Sequence, residues 1–138
     1  MRYLLDTVTL SEMRRGKKAH PGVIQWQQTV ADFWISVITL NEIRYGLKKA
    51  ERSDPPFAKI LAAWYAHLLT QPDSFRVLPV DRPVAELAAD FRFAHSTSTN
   101  DSLIAATAKV HGLTVVTRNV ADFTPTGVPV LNPWEEEV

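Results

Sequence analysis

Cysteine is absent from the 138-residue chain, which excludes disulfides, thiolate metal sites and a cysteine nucleophile, and agrees with a reducing compartment. No apolar run approaches the length of a membrane span. Met1-Arg2-Tyr3-Leu4-Leu5-Asp6 reaches an acid too early for a signal-peptide core, so a cytoplasmic protein with no membrane partner is expected. Neither sign of charge prevails, since Lys plus Arg and Asp plus Glu each count 15. A dedicated nucleic-acid coat or membrane-surface protein is thereby disfavoured, and any nucleic-acid contact must be local. Repeats, low-complexity segments and long linkers are missing too. What remains is a chain of one ordinary domain's size, 46% hydrophobic, able to bury roughly two thirds of its unfolded surface in one core. One domain over residues 1–138 is expected.

The stretch from Asn100 to Asn119 is the most informative. Leu103, Ile104, Thr107 and Val110 recur at helical spacing, Ala105, Ala106 and Ala108 favour a helix, and Gly112 stands where a helix ends in a left-handed residue. Leu113 to Val116 then reads as a fully buried strand of the kind found in parallel sheets covered on both faces, where ligands lie beyond the strands' carboxyl ends. Asp101 opens the helix, and Thr117 to Asp122 follows the strand.

The same alternation runs through the rest of the chain. Arg2 to Leu5 reads as a strand with Asp6 at its exit, and Thr9-Leu10-Ser11-Glu12 matches a capping box at the start of a helix. Arg14, Arg15, Lys17 and Lys18 form either a solvated helix end or a patch for phosphates. A helix over Pro21 to Val30 and a strand over Phe33 to Ile38 follow. Thr39-Leu40-Asn41-Glu42 then opens a helix with Leu40, Ile43, Leu47 and Ala50 on its apolar stripe. Glu42 has two readings at this point, the acid of a Thr-x-x-Glu capping box or a functional acid. Gly46, costing about 1 kcal/mol against Ala inside a helix, predicts a close approach on the face it shares with Glu42.

Asp54-Pro55-Pro56 starts a further helix, with Phe57, Ile60, Leu61, Trp64 and Leu68 on one face and Pro72 ending it; Trp64 and Tyr65 read as packing. Phe75 to Val80 is a third strand. Val84, Leu87, Ala88, Phe91 and His95 line the next helix, Asn119 to Phe123 is a short helical turn, and Val128 to Leu131 a last strand. Strands alternating with helices predict an α/β fold with a mostly parallel central sheet of 4–5 strands flanked by helices.

Such a sheet brings Asp6, Glu42, Asp101 and the polar group at Asn119 to Asp122 to one edge. Two carboxylates about 4 Å apart repel by about 4 kcal/mol at an effective dielectric of 20, so several in one pocket demand protons or a cation. Oxygen ligands without Cys or a paired His motif favour Mg²⁺, with Mn²⁺ a substitute, and such ions suit phosphodiester hydrolysis.

Taken together, Tyr3-Leu4-Leu5-Asp6-Thr7 with Leu10-Ser11-Glu12, Ile35-Ser36-Val37-Ile38-Thr39 leading to Glu42-Ile43-Arg44-Tyr45-Gly46, Asp101 to Ala108, Thr114 to Asn119 with Asp122-Phe123, and Val130-Leu131-Asn132-Pro133-Trp134 resemble the PIN-domain ribonucleases. The likeness is to VapC-type toxins of bacterial toxin–antitoxin pairs, FitB-like members included, and it covers nearly the whole chain. The resemblance implies a Mg²⁺-dependent endoribonuclease in which Asp6, Asp101 and Glu42 are the metal-binding acids and Glu42 orients or deprotonates the attacking water. Asn119 falls on the family's fourth acidic position, where Asp122 either supplies the missing charge through water or caps the turn. Thr7 and Thr117 are assigned to positioning substrate. The family usually has Asn at the position of Val8, so a polar group near the first acid is lost here, with Thr7 and Thr9 as candidates to replace it. A VapB-type antitoxin is the implied partner, with RNA as substrate, operator DNA reached only through the antitoxin, and a homodimer as the assembly. The alternatives are a structure-specific DNA nuclease on the same fold, or an inactive binding module acting with its antitoxin as co-repressor.

Overall fold

The computed structural model describes residues 2–70 and 75–135. Tyr3–Leu5 forms β1, Phe33–Ser36 β2, Phe75–Leu78 β3, Thr114–Val116 β4 and Val130–Leu131 β5. They make one sheet in the order β3-β2-β1-β4-β5, with each neighbouring pair parallel. Between them run α1 (Thr7–Arg14), α2 (Pro21–Gln28), α3 (Val37–Ser53), α4 (Pro55–Leu69), α5 (Arg82–His95), α6 (Thr99–His111) and α7 (Val120–Phe123). None of these is long and apolar enough to cross a membrane, among the described residues.

Alternate residues of the central strands feed two cores. Leu4, Trp34 and Val115 pack with Ile104, Ala105, Ala108 and Phe123, whereas Leu5, Phe33, Ile35 and Val116 pack with Leu10, Trp26, Ile43 and Leu68. Both sheet faces are therefore covered, which is why the strands read as continuous apolar runs rather than as alternation. Burying a side chain such as Leu4 or Ile35 contributes about 1.5–3 kcal/mol. Trp64 and Tyr65 pack against the second core, as their spacing predicted. Ile60, His95 and Val110, at the ends or margins of their stripes, are exposed instead.

From β1 the chain moves outward through β2 to β3, and then returns to lay β4 on the other side of β1. The strand order thus reverses beside β1, the place where a crevice opens beyond the carboxyl ends of a parallel sheet. Asp6, α3 and Thr117 all emerge there.

Several boundaries differ from expectation for a common reason, the capture of a helix start by a side chain at the end of a strand. Asp6 caps α1 by accepting a hydrogen bond from the Thr9 backbone N–H at 2.9 Å, so the Thr9–Glu12 capping box does not form. Glu12 instead accepts from the His20 backbone N–H at 2.7 Å and from Arg15. Likewise Ser36 ends β2 and accepts from the Ile38 N–H at 3.0 Å, so α3 begins at Val37 and not at Thr39. The second helix ends at Gln28, and β3 stops at Leu78, before Asp81 caps α5. Pro72, expected to end the fourth helix, lies outside the described residues; α4 closes at Leu69 with Thr70 as its cap. Gly112 takes the predicted left-handed conformation at the end of α6, with φ 67°.

Candidate functional site

Asp6 is the most constrained acid, 4% exposed at the exit of the central strand. One carboxylate oxygen is held by the α1 cap, and the other accepts from the Thr117 hydroxyl at 2.6 Å. Thr117, itself buried just beyond β4, accepts from the Asn119 backbone N–H at 2.9 Å, which directs its own proton toward Asp6. Burial pushes the Asp6 carboxyl above its ordinary value, against the opposing hydrogen bonds from Thr117 and Thr9, and the nearby Glu42 carboxylate adds to the rise.

Glu42 sits in the second turn of α3. Because that helix starts at Val37, its first turn contains no acid, and the capping role open to Glu42 in the sequence is removed. Its Oε1 accepts from the Thr7 hydroxyl at 2.6 Å; the same hydroxyl lies 3.1 Å from the Thr39 hydroxyl. Thr7 and Thr117 thus each hold an acid. Thr9 spends its hydroxyl on the Val116 carbonyl at 2.8 Å, and Val8 between them is 36% exposed. The close approach predicted at Gly46 is not found within the chain, where an added Cβ would meet nothing within 4 Å.

Asp101 lies in the first turn of α6, half-buried, where its backbone N–H donates to the Ser98 hydroxyl at 3.2 Å. Its carboxyl is also raised, first by burial and then by the charges of Asp122, Asp6 and Glu42, with the Ser98 hydrogen bond opposing. The four acids therefore share one electrostatic neighbourhood, although they stand on α1's cap, α3, α6 and α7. Asp122 is exposed in the first turn of α7 and is the strongest of the three charges acting on Asp101. Asn119 is exposed at the cap position of α7 and makes no side-chain cap bond. Ser98, which reads in the sequence as part of a polar connection over Ser96 to Asn100, is the cap of α6, and Ser98-Thr99-Asn100-Asp101 has the Ser-x-x-acid spacing that signals such a helix start.

Among the described residues, the ion pairs are Arg15–Glu12, Lys48–Glu51, Arg76–Asp32 and Arg82–Glu86, so none of the four clustered acids is paired with a cation. Nor are any three of the described His, Asp or Glu side chains gathered closely enough to form a ready metal cage. The four carboxylates act on one another's charge without a paired cation among the described residues, an arrangement that a bound cation would relieve.

The PIN domain family model matches residues 3–123. The chain belongs to the PIN domain family. The matched span contains Asp6, Glu42, Asp101, Thr117, Asn119 and Asp122, so the acidic edge lies wholly within the PIN domain. Toxin FitB of Neisseria gonorrhoeae (strain ATCC 700825 / FA 1090) is 34% identical over 150 residues, covering 96% of this chain and 99% of that protein. VapC ribonuclease Y4jK of Sinorhizobium fredii (strain NBRC 101917 / NGR234) is 34% identical over 143 residues, covering 96% and 97% respectively. A toxin–antitoxin complex from Klebsiella pneumoniae is similar in structure, with a TM-score of 0.71 at 26% identity over 97% of this chain and 99% of the matched one.

Proposed function

We propose that this PIN domain is the endoribonuclease toxin of a toxin–antitoxin pair, neutralised by a small antitoxin that also carries operator DNA. The observation that carries the reading is the convergence of Asp6, Glu42, Asp101 and Asp122 beyond the carboxyl ends of β1 and β4, with the carboxyls of Asp6 and Asp101 raised and no paired cation among the described residues. The similarity to a protein named as a VapC ribonuclease and to a toxin–antitoxin complex supports the substrate and the partner.

The donor set is carboxylate oxygen with neighbouring hydroxyls, free of sulfur and imidazole, and it fits a hard divalent cation such as Mg²⁺ or Mn²⁺. Asp6 and Asp101 would hold the ion, with Glu42 and Asp122 completing the negative field. A bound ion of this kind would polarise the scissile phosphate and lower the pKa of the attacking water. The rest of the chemistry belongs to the chain. Thr117 and the α1 cap fix both oxygens of Asp6, so that carboxylate does not rotate away from the crevice. Thr7 holds one oxygen of Glu42 and leaves the other to accept the proton of the water that attacks phosphorus. Asn119, exposed at the start of α7 with its side chain not spent on a cap, would be free to donate to a phosphate oxygen.

Cleavage of single-stranded RNA in Mg²⁺, with abolition by EDTA, tests the activity. Undiminished cleavage in EDTA sinks the metal-assisted chemistry, and preferential cleavage of branched DNA over RNA replaces the substrate. Growth arrest on expression alone, relieved by co-expression of the antitoxin, tests the biological pairing. A soluble, well-expressed and harmless wild-type chain would turn the reading toward a co-repressor.

A further inference from the structure

Beyond Glu42, α3 carries exposed side chains that the chain itself does not use. Tyr45 is 66% exposed, and the Lys49 ammonium lies over its ring, 5.6 Å from the centroid. Together with Lys48, Glu51 and Arg52 they line a shallow cavity of about 320 Å³. Glu51 pairs with Lys48 at 3.6 Å, which leaves Lys49 and Arg52 as cations with no acidic partner among the described residues. Tyr45 and Lys49 stand three and seven residues after Glu42, hence on its side of the helix, about 4.5 and 10.5 Å further along the axis. Gly46 lies between them. Its backbone φ is not positive, and an added Cβ meets nothing within 4 Å, so neither conformation nor internal packing requires a glycine there. Its physical effect is to keep the surface beside Glu42 low.

Building on the ribonuclease reading above, we propose that this face of α3 receives the nucleotide adjoining the scissile phosphate of a single-stranded RNA. Its base stacks on Tyr45, its backbone passes over Gly46, and its phosphate meets Lys49. An exposed aromatic flanked by cations is the combination with which single-stranded sites hold bases and backbone together. The charge is local, in a chain whose net charge is +0, and it begins one helical turn from an acid of the site. A duplex offers no free base face to such a ring, which selects unpaired RNA. The arriving base takes the place of the Lys49 ammonium over the ring, and the ammonium swings on its flexible stem to the phosphate.

The test is the affinity of a short, labelled, mixed-sequence single-stranded RNA, read by anisotropy in Mg²⁺ on an Asp101→Asn background that keeps the RNA intact. Tyr45→Ala is expected to weaken binding about tenfold, and Tyr45→Phe, which retains the stacking surface, by no more than about twofold. Lys49→Gln should weaken binding and flatten its salt dependence. Gly46→Ala should raise the melting temperature while weakening RNA binding, a combination that misfolding does not produce. Phe93→Ala, removing an aromatic that is 93% exposed on α5, should change nothing. Unchanged affinity in Tyr45→Ala overturns the proposal, as does an absence of measurable RNA affinity in the parent. Loss of neutralisation by the antitoxin with RNA affinity intact overturns it too, and gives the face to a protein partner. Failure of the wild-type chain to cut RNA would overturn the ribonuclease reading, whereas the Tyr45 comparison decides the stacking face by binding alone.

Discussion

Asp6 and Asp81 do the same local job in different places. Each precedes a helix, each accepts a hydrogen bond from the backbone N–H three residues on, Thr9 at 2.9 Å and Val84 at 3.2 Å, and each backbone carbonyl accepts the first helical bond. The difference is in the second carboxylate oxygen and in the strand behind it. Asp81 follows β3 at the sheet edge and is exposed, whereas Asp6 follows β1 beside the reversal of strand order, is buried, and accepts from Thr117 across the β1–β4 pair. Capping therefore explains an aspartate at either position, and only the placement of the strand separates a cap from a site. On the function proposed above, Asp6 serves as both.

Breaking this comparison at its strongest point gives the largest effect. Asp6→Asn keeps a capping oxygen and removes the charge, so cleavage should fall roughly a thousandfold, given several kcal/mol of charge stabilisation at tenfold per about 1.4 kcal/mol. The metal-free protein should be no less stable, because a desolvated charge facing Glu42 has been removed. Single-turnover cleavage and a metal-free thermal melt check both; retained cleavage would reduce Asp6 to the status of Asp81.

Thr117→Val deletes the hydroxyl that distinguishes the two aspartates while conserving shape. Asp6 loses a donor and the Asn119 N–H an acceptor, for about 1–3 kcal/mol of stability. Cleavage should drop about tenfold, the equivalent of one hydrogen bond to a charged group at about 1.5 kcal/mol. Thr117→Ser should restore most of it; failure of Ser to do so would show that the methyl packing, and not the hydroxyl, matters.

A pH series sharpens the contrast further. The folded Asp6 carboxyl lies above the ordinary aspartate value of 3.8, so between that value and the folded one the native state holds more protons than the unfolded state. Its contribution to stability consequently falls as pH rises through this window, and the penalty is complete above the folded value. Asp101 acts in the same direction. The stability advantage of metal-free Asp6→Asn over wild type should grow from about pH 4 upward and then level off, measured by denaturant melts. An advantage that shrinks with pH would mean that Asp6 is stabilised as a carboxylate, contrary to its burial.

The same comparison shows how far the sequence could be read. The alternation of apolar runs and helical stripes was enough for a parallel α/β sheet, because strands covered on both faces leave a signal that does not depend on distant partners. The acids Asp6, Glu42 and Asp101 were visible as residues at strand exits and helix starts. What stayed hidden was the assignment of caps: Thr9-x-x-Glu12 and Thr39-x-x-Glu42 both fit the capping pattern, but the strand ends at Asp6 and Ser36 captured the helices first. Local spacing does not reveal which of two nearby cap candidates continues a strand's direction. Nor does it reveal that Thr7 reaches Glu42, or Thr117 reaches Asp6, since these hydrogen bonds join residues 35 and 111 positions apart.

The smallest effect belongs to the other side of the comparison. Asp81→Asn should leave both cleavage and stability nearly unchanged, because Asn caps about as well as Asp, and the exposed Asp81 is not among the charges acting on Asp6 or Asp101. Asp81→Ala should cost about 1 kcal/mol, as the Val84 N–H loses its acceptor, which for a domain of this size lowers the melting temperature by about 4 °C. Cleavage per folded molecule should still match wild type. The pair of substitutions isolates capping, Ala removing it and Asn keeping it, where the Asp6 substitution removes charge and keeps the cap. If Asp81→Asn alone lowered cleavage, charge at the edge of β3 would also reach the crevice, and the separation between a capping aspartate and a site aspartate would no longer rest on the reversal of strand order at β1.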